Sequence, residues 1–304
     1  MKRVVLALAI ATILAGTRLT LGQGRGNPFI DHSDTGETVH VLPPAASIRS
    51  PHDTQPTDAT RRGTTYAPSY GSGDLIDHGG HEISSAGFFA IYWNSSVANS
   101  PGPLGVGTLR TGVQNFVSAF GAATDYSIIT QYGTRDPIAT ILVPIGDYVD
   151  TRATANSISD SKIKTYLTSL FNSGVVTVAE NNVYGVYFPS GMKITLQGGT
   201  SCSSFCGYHG YLTYNGKNIK YAVFPYTDCR ACSLSGKTAA DILTIVSSHE
   251  IRESVTDPNL NAWYDRLGYE ADDKCAWHNL YKMTSGSYWV QPEYSNAVHG
   301  CVVP

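Results

Sequence analysis

Between Thr238 and Pro258 the chain reads TAADILTIVSSHEIRESVTDP, and this stretch constrains the fold more than any other. Thr238 suits the N-cap of a helix, and Asp241, three residues on, completes a capping-box pattern and matches the positive end of the dipole. Pro258 disfavours helical geometry at Asp257, so the helix is expected to stop near Val255 or Thr256. At 100° per residue, Ile242, Val246, His249 and Glu253 fall on one narrow stripe, with Glu250 at its flank. The stripe begins apolar, so it is expected to face a core. It therefore carries an imidazole and a carboxylate inward, and a buried carboxylate is costly unless something compensates it.

Two compensations are open at this level. One is local: His249 and Glu253 form an i,i+4 pair, or Arg252 or a neighbouring loop meets the charge. The other is a divalent cation. His249-Glu-x-x-Glu253 stands where zinc peptidases carry His-Glu-x-x-His, and residues four apart on a helix reach the same ion. Zinc accepts imidazole nitrogen and carboxylate oxygen, and its catalytic sites use three protein ligands with an open water position. In that geometry Glu250 is the general base toward water. A carboxylate in place of the second imidazole makes the ion a weaker Lewis acid. Downstream, Glu270, Asp272 and Asp273 put three acids within four residues, so the loop is placed to supply a third ligand. Calcium fits less well, because it takes six to eight oxygens and His249 is a poor member of that set.

The rest of the chain sets the context. Residues 1–22 read as a secretory signal peptide, with Met1-Lys2-Arg3 before an apolar run from Val4 to Ala15 that is too short to span a bilayer as a helix. Residues 23–80, rich in Pro, Ser, Thr and Gly, are expected to form a disordered leader or pro-segment. Residues 81–304 are expected to form one globular domain. Its strands are expected at Ala86–Trp93, Tyr126–Tyr132, Ile138–Val143, Val183–Phe188, Lys193–Gln197 and Ile219–Phe224. Helices are expected at Leu109–Phe120 and Ser161–Phe171. That alternation gives an α/β or α+β class, with the motif helix lying on a mixed twisted sheet as in zincin-like domains, then a loop-rich C-terminal part. Six cysteines, all in the C-terminal third, point to disulfides in an exported chain: Cys275 with Cys301, and Cys202, Cys206, Cys229 and Cys232 among themselves. A formal charge of -3 and the absence of a basic run argue against nucleic acid as a partner. No second apolar stretch reaches membrane length, so no membrane association is expected once the signal is removed.

Several stretches taken together resemble the exordium / phosphate-induced protein family of secreted plant proteins and its microbial relatives. They are Phe89-Ala-Ile-Tyr-Trp93, Phe205-Cys-Gly-Tyr-His209, Tyr221-Ala-Val-Phe-Pro225, His249-Glu-x-x-Glu253 with Thr256-Asp-Pro258, Ala262-Trp-Tyr264, and Glu270-x-x-Asp273-x-Cys275. The ending Val290-Gln-Pro-Glu-Tyr-Ser-Asn-Ala297 is similar to that of the microbial members. The resemblance runs from about Phe88 to Cys301 and leaves the leader uncovered. It implies secretion and an extracellular role, and it puts His209, His249, Glu250, Glu253, Glu270 and Asp273 at motif positions. Asp272 is outside the matched pattern, so Glu270 or Asp273 is favoured as the third ligand. His209 is a candidate for metal ligation or oxyanion stabilisation.

The functional expectation is a secreted, zinc-dependent hydrolase of the metallopeptidase kind, binding one Zn2+ and acting on a peptide or protein. The alternative is a non-catalytic extracellular protein that meets a cell-wall or signalling component and holds at most a structural ion. Serine or cysteine nucleophile chemistry has little support, because no G-x-S-x-G elbow is present and the cysteines are expected to pair.

Overall fold

The computed structural model describes residues 26–48 and 56–304. The signal-peptide segment at 1–22 lies outside the described residues. Seven strands build the main sheet: β1 (Ile30–His32), β2 (Thr38–Leu42), β3 (Gly87–Tyr92), β4 (Val143–Val149), β5 (Asn182–Tyr187), β6 (Gly207–Tyr214) and β7 (Lys217–Phe224). Their spatial order is β1-β2-β6-β7-β5-β3-β4. From β7 through β5 and β3 to β4 the neighbours are parallel, whereas β1, β2, β6 and β7 pair antiparallel. The class is α+β, as the alternation of elements implied.

Each half follows from its sequence. Strand β3, Gly-Phe-Phe-Ala-Ile-Tyr, is apolar along its whole length because both of its faces are covered. Parallel neighbours need long crossovers, and α1 (Leu109–Gly121) and α2 (Asp160–Asn172) supply them. The antiparallel half turns on Asn215-Gly216. Both residues have positive φ, at 49° and 75°, and they close a two-residue hairpin between Tyr214 and Lys217. That hairpin places β6, with His209 near its start, beside β7. The motif helix α3 (Ala239–Thr256) follows and packs on β5, β6 and β7 next to α1.

The structure corrects three expectations. Residues from Asn27 to Leu42 are not a disordered leader: β2 pairs antiparallel with β6, and Phe29, Val39, Val41 and Leu42 are buried. A polar, Pro-rich composition overall had hidden the short alternating stretch Thr38-Val-His-Val-Leu42. Further on, Thr64–Tyr66 pairs with Gly300–Val303, and Ile76–Asp77 pairs with Trp263–Tyr264, so the domain begins well before residue 81. Tyr126–Tyr132 is helical rather than a strand, as a turn over Thr124–Ser127 runs into a 3₁₀ segment over Ile128–Tyr132. Buried Tyr126, Ile129 and Tyr132 recur every third residue, which suits that tighter winding, and tertiary packing overrides the β-branched propensity. The strand expected at Ile138–Val143 begins only at Val143.

The burial of α3 includes the stripe expected to face the core and extends around the whole helix. Every residue from Ala240 to Thr256 is buried. The sheet covers one side and the C-terminal loops cover the other. Those loops are held by Cys275–Cys301, while Cys202–Cys229 and Cys206–Cys232 hold the segment leading into the helix. These pairings agree with the expected partition of the six cysteines.

A helix buried on all sides must satisfy its polar side chains internally. Arg252 does so by bonding Asp272 through Nε (3.0 Å) and Nη2, the Asp125 carbonyl (2.9 Å) and the Gln291 carbonyl (3.2 Å), and by meeting Glu293 at 2.7 Å. The Arg252→Ala variant would leave two buried acids without their cation, and urea denaturation should show a loss of about 3–5 kcal/mol. A loss below ~1 kcal/mol, the range of an exposed pair, would contradict this role.

Candidate metal centre

The helix termini fix where the functional groups stand. Thr238 Oγ1 accepts from Asp241 N at 3.1 Å and Thr238 N donates to Asp241 Oδ2 at 2.9 Å, which is the reciprocal capping box. At the other end Asp257 Oδ1 accepts from the amides of Asn261 and Ala262, both at 2.6 Å, and turns the chain back toward the helix. The returning loop is pinned by Lys274 Nζ on Asp265 Oδ2 at 2.9 Å and by the Cys275–Cys301 bridge. Asp273 and Glu270 thereby arrive opposite His249 and Glu253.

The detail of that meeting is informative. Glu253 Oε1 accepts from Asp273 N at 3.0 Å, and Asp273 Oδ2 accepts from Glu270 N at 2.9 Å. Each carboxylate is thus anchored through one oxygen, and the other oxygen is turned to the same place. Glu253 Oε2 lies 3.0 Å and Asp273 Oδ1 3.6 Å from His249 Nε2. None of these three atoms makes a hydrogen bond. Atoms this close that do not bond one another are aimed at a shared point between them. Ligands at about 2.0–2.2 Å around a tetrahedral zinc are ~3.3–3.6 Å apart; the Asp273 separation falls in that range and the Glu253 one is shorter. The donor set His249, Glu253 and Asp273 fits a divalent ion.

Beside it stands a second set. Gly207 lets α3 approach β6, because a Cβ there would fall 2.4 Å from Val246 Cγ1 and 3.0 Å from Glu250 Oε1. At that approach Glu250 Oε2 accepts from His209 Nδ1 at 3.0 Å, while Glu250 Oε1 is unpartnered. His209 Nδ1 is also 3.7 Å from Glu253 Oε2, so His209, Glu250 and Glu253 form a second group of ligand geometry sharing Glu253 with the first. Glu270 has both oxygens without a hydrogen bond, Oε2 3.5 Å from His209 Nε2 and Oε1 3.2 Å from His40 Nδ1.

All six residues named from the sequence, His209, His249, Glu250, Glu253, Glu270 and Asp273, therefore converge. His40, which sequence reasoning missed, joins them from β2. Its only sequence signal was its place in the alternation of Thr38–Leu42. Asp272 belongs to the Arg252 network instead. The choice left open between Glu270 and Asp273 resolves in space: Asp273 faces His249, whereas Glu270 faces the other two imidazoles. The Cys229-x-x-Cys232 pair is consumed by disulfides, and no cysteine is free.

The electrostatics are those of a dry cage. Glu250, Glu253, Glu270 and Asp273 are fully buried, and burial above all, with mutual repulsion, pushes their carboxyls well above the usual range. Burial also pushes His40 down to about 3 and depresses His209 and His249, so the imidazoles stay neutral and able to ligate. The N-terminal segment closes the cage: Trp277 Nε1 donates to the Pro43 carbonyl at 2.8 Å, and Asn27 Nδ2 to the Gly268 carbonyl at 2.6 Å.

Comparison with protein-family models, curated proteins and solved structures finds no match for this chain.

A pH dependence follows for the metal-free protein. Carboxyls whose folded values are raised bind more protons folded than unfolded, so they cost stability as pH rises past their unfolded value of about 4. Imidazoles with lowered values cost stability only as pH falls below about 6.5. Above that point, of the groups at this centre, only the carboxyls contribute. After chelation, thermal stability should fall steadily from about pH 7 to about pH 9, and saturating zinc should remove the slope. Equal slopes with and without zinc, read by calorimetry, would contradict the metal-centre assignment.

Proposed function

We propose that the protein is a secreted, zinc-dependent hydrolase of the peptidase kind, related to the exordium group through the motifs that converge at this centre. One observation carries the reading: His249 Nε2, Glu253 Oε2 and Asp273 Oδ1 are buried, unbonded and directed together. These residues would hold the ion, which when bound would supply Lewis acidity toward a carbonyl. Glu250 takes a proton from the attacking water through its unpartnered Oε1. His209 holds Glu250 in place through the Nδ1 bond. The three disulfides fit the oxidising compartment that secretion leads to, and no helix among the described residues is long and apolar enough to cross a membrane.

A second reading, an extracellular cell-wall or signalling protein with a purely structural ion, is favoured by the enclosure of the centre. Every proposed ligand is 0% exposed, and no substrate reaches it unless the covering segment lifts. The two readings separate on one variant. Glu250→Gln should keep the fold and the bound zinc while peptide hydrolysis falls by at least ~100-fold, the scale of a lost general base. His249→Ala should lose the ion. Full peptide turnover in Glu250→Gln, or none in the zinc-loaded wild type, would sink the catalytic reading and leave the structural one.

A further inference from the structure

We infer that the centre holds two divalent cations, the second bound by His40, His209 and Glu270; this rests on the metal-centre reading above and extends it. The histidines come from neighbouring strands. His40 of β2 stands directly opposite His209 of β6 in the antiparallel register, with ring centroids 5.7 Å apart. Glu270 reaches both from the far loop, 3.2 Å from His40 Nδ1 through Oε1 and 3.5 Å from His209 Nε2 through Oε2. All four atoms are buried and unbonded, so neither imidazole serves as a hydrogen-bonded core histidine through the nitrogen it turns to Glu270. The two His–Glu270 separations, one through each Glu270 oxygen, are on the scale of ligand-to-ligand edges around zinc.

His209 adds an independent mark. Its other nitrogen, Nδ1, bonds Glu250 Oε2 at 3.0 Å, and a metal-bound histidine ordinarily gives its second nitrogen to a carboxylate that orients the ring.

Charge points the same way. Glu250, Glu253, Glu270, Asp273 and Asp257, which lies against Glu270, carry five negative charges when ionised, inside a volume that none of them leaves. The nearby fixed cations are committed elsewhere, Arg252 to Asp272 and Glu293, and Lys274 to Asp265. One divalent ion would leave three of the five charges unmatched, whereas two ions leave one, on the Asp257 carboxylate that two loop amides already hold. The ligand set of imidazole and carboxylate suits zinc or a similar borderline metal rather than magnesium or calcium.

The test is stoichiometry on the full mature chain, chelated, gel-filtered and then titrated with Co2+, whose absorption in the visible reports nitrogen and oxygen ligation. Two equivalents are expected to saturate the wild type, with elemental analysis of the zinc form giving the same count. His40→Ala should bind one equivalent, as should His249→Ala, each leaving the other site filled. A wild type that saturates at one equivalent overturns the second site and leaves the first. A wild type that binds none overturns the metal-centre reading itself. Two equivalents retained in a folded His40→Ala would remove His40 from the set. If that variant fails to fold, the wild-type titration alone decides between one ion and two.

Discussion

Uncompensated acid in a dry interior is the constraint on which the rest of this structure depends. Helix α3 runs through the middle of the molecule with both flanks covered, so none of its polar side chains can turn to water. Isolated carboxylates are not stable in such a place. The protein meets that demand in two ways within a few ångströms. Around Arg252 and Lys274 the charge is balanced by side-chain cations, in a network that includes Asp272, Glu293 and Asp265. Around His249, Glu250 and Glu253 no such cation exists, and the imidazoles there are neutral. Among the described residues only the second network lacks a built-in counter-charge, and that difference supports the proposed ion site.

The architecture delivers ligands from three directions that are far apart in sequence. The helix brings His249 and Glu253, the loop after Asp257 brings Glu270 and Asp273, and the sheet edge brings His209 and His40. Each is set by ordinary local chemistry: a capping box at Thr238, an Asx-type turn at Asp257, a type I′ hairpin at Asn215-Gly216, and strand pairing at β2. The disulfide at Cys275 holds the loop next to its acids, which limits how far Glu270 and Asp273 can relax away from one another.

Much of this was legible in the residues, and the failures are instructive. The helix limits, its cap and the inward course of His249 and Glu253 follow from spacing alone, because capping and proline effects are local. Which downstream acid faces the helix was not legible. Asp272 and Asp273 are neighbours in sequence, yet one answers Arg252 and the other His249, and only the turn geometry separates them. Composition misled at the N-terminus. A segment rich in Pro, Thr and Ser reads as a linker, but five residues of alternating pattern suffice for a strand when an edge such as β6 is there to pair with. The role of His40 was invisible for the same reason, since its partners Glu270 and His209 lie at least 169 positions away. Tyr126–Tyr132 shows the converse, local β propensity yielding to packing every third residue.

The central claim is that an ion occupies the point to which His249 Nε2, Glu253 Oε2 and Asp273 Oδ1 are directed. Diffraction from crystals of the untreated protein, recorded on both sides of the zinc absorption edge, measures this most directly. The account predicts an anomalous difference peak within bonding distance of all three atoms. A map without such a peak, with the carboxyls paired to one another as protonated acids, would contradict it.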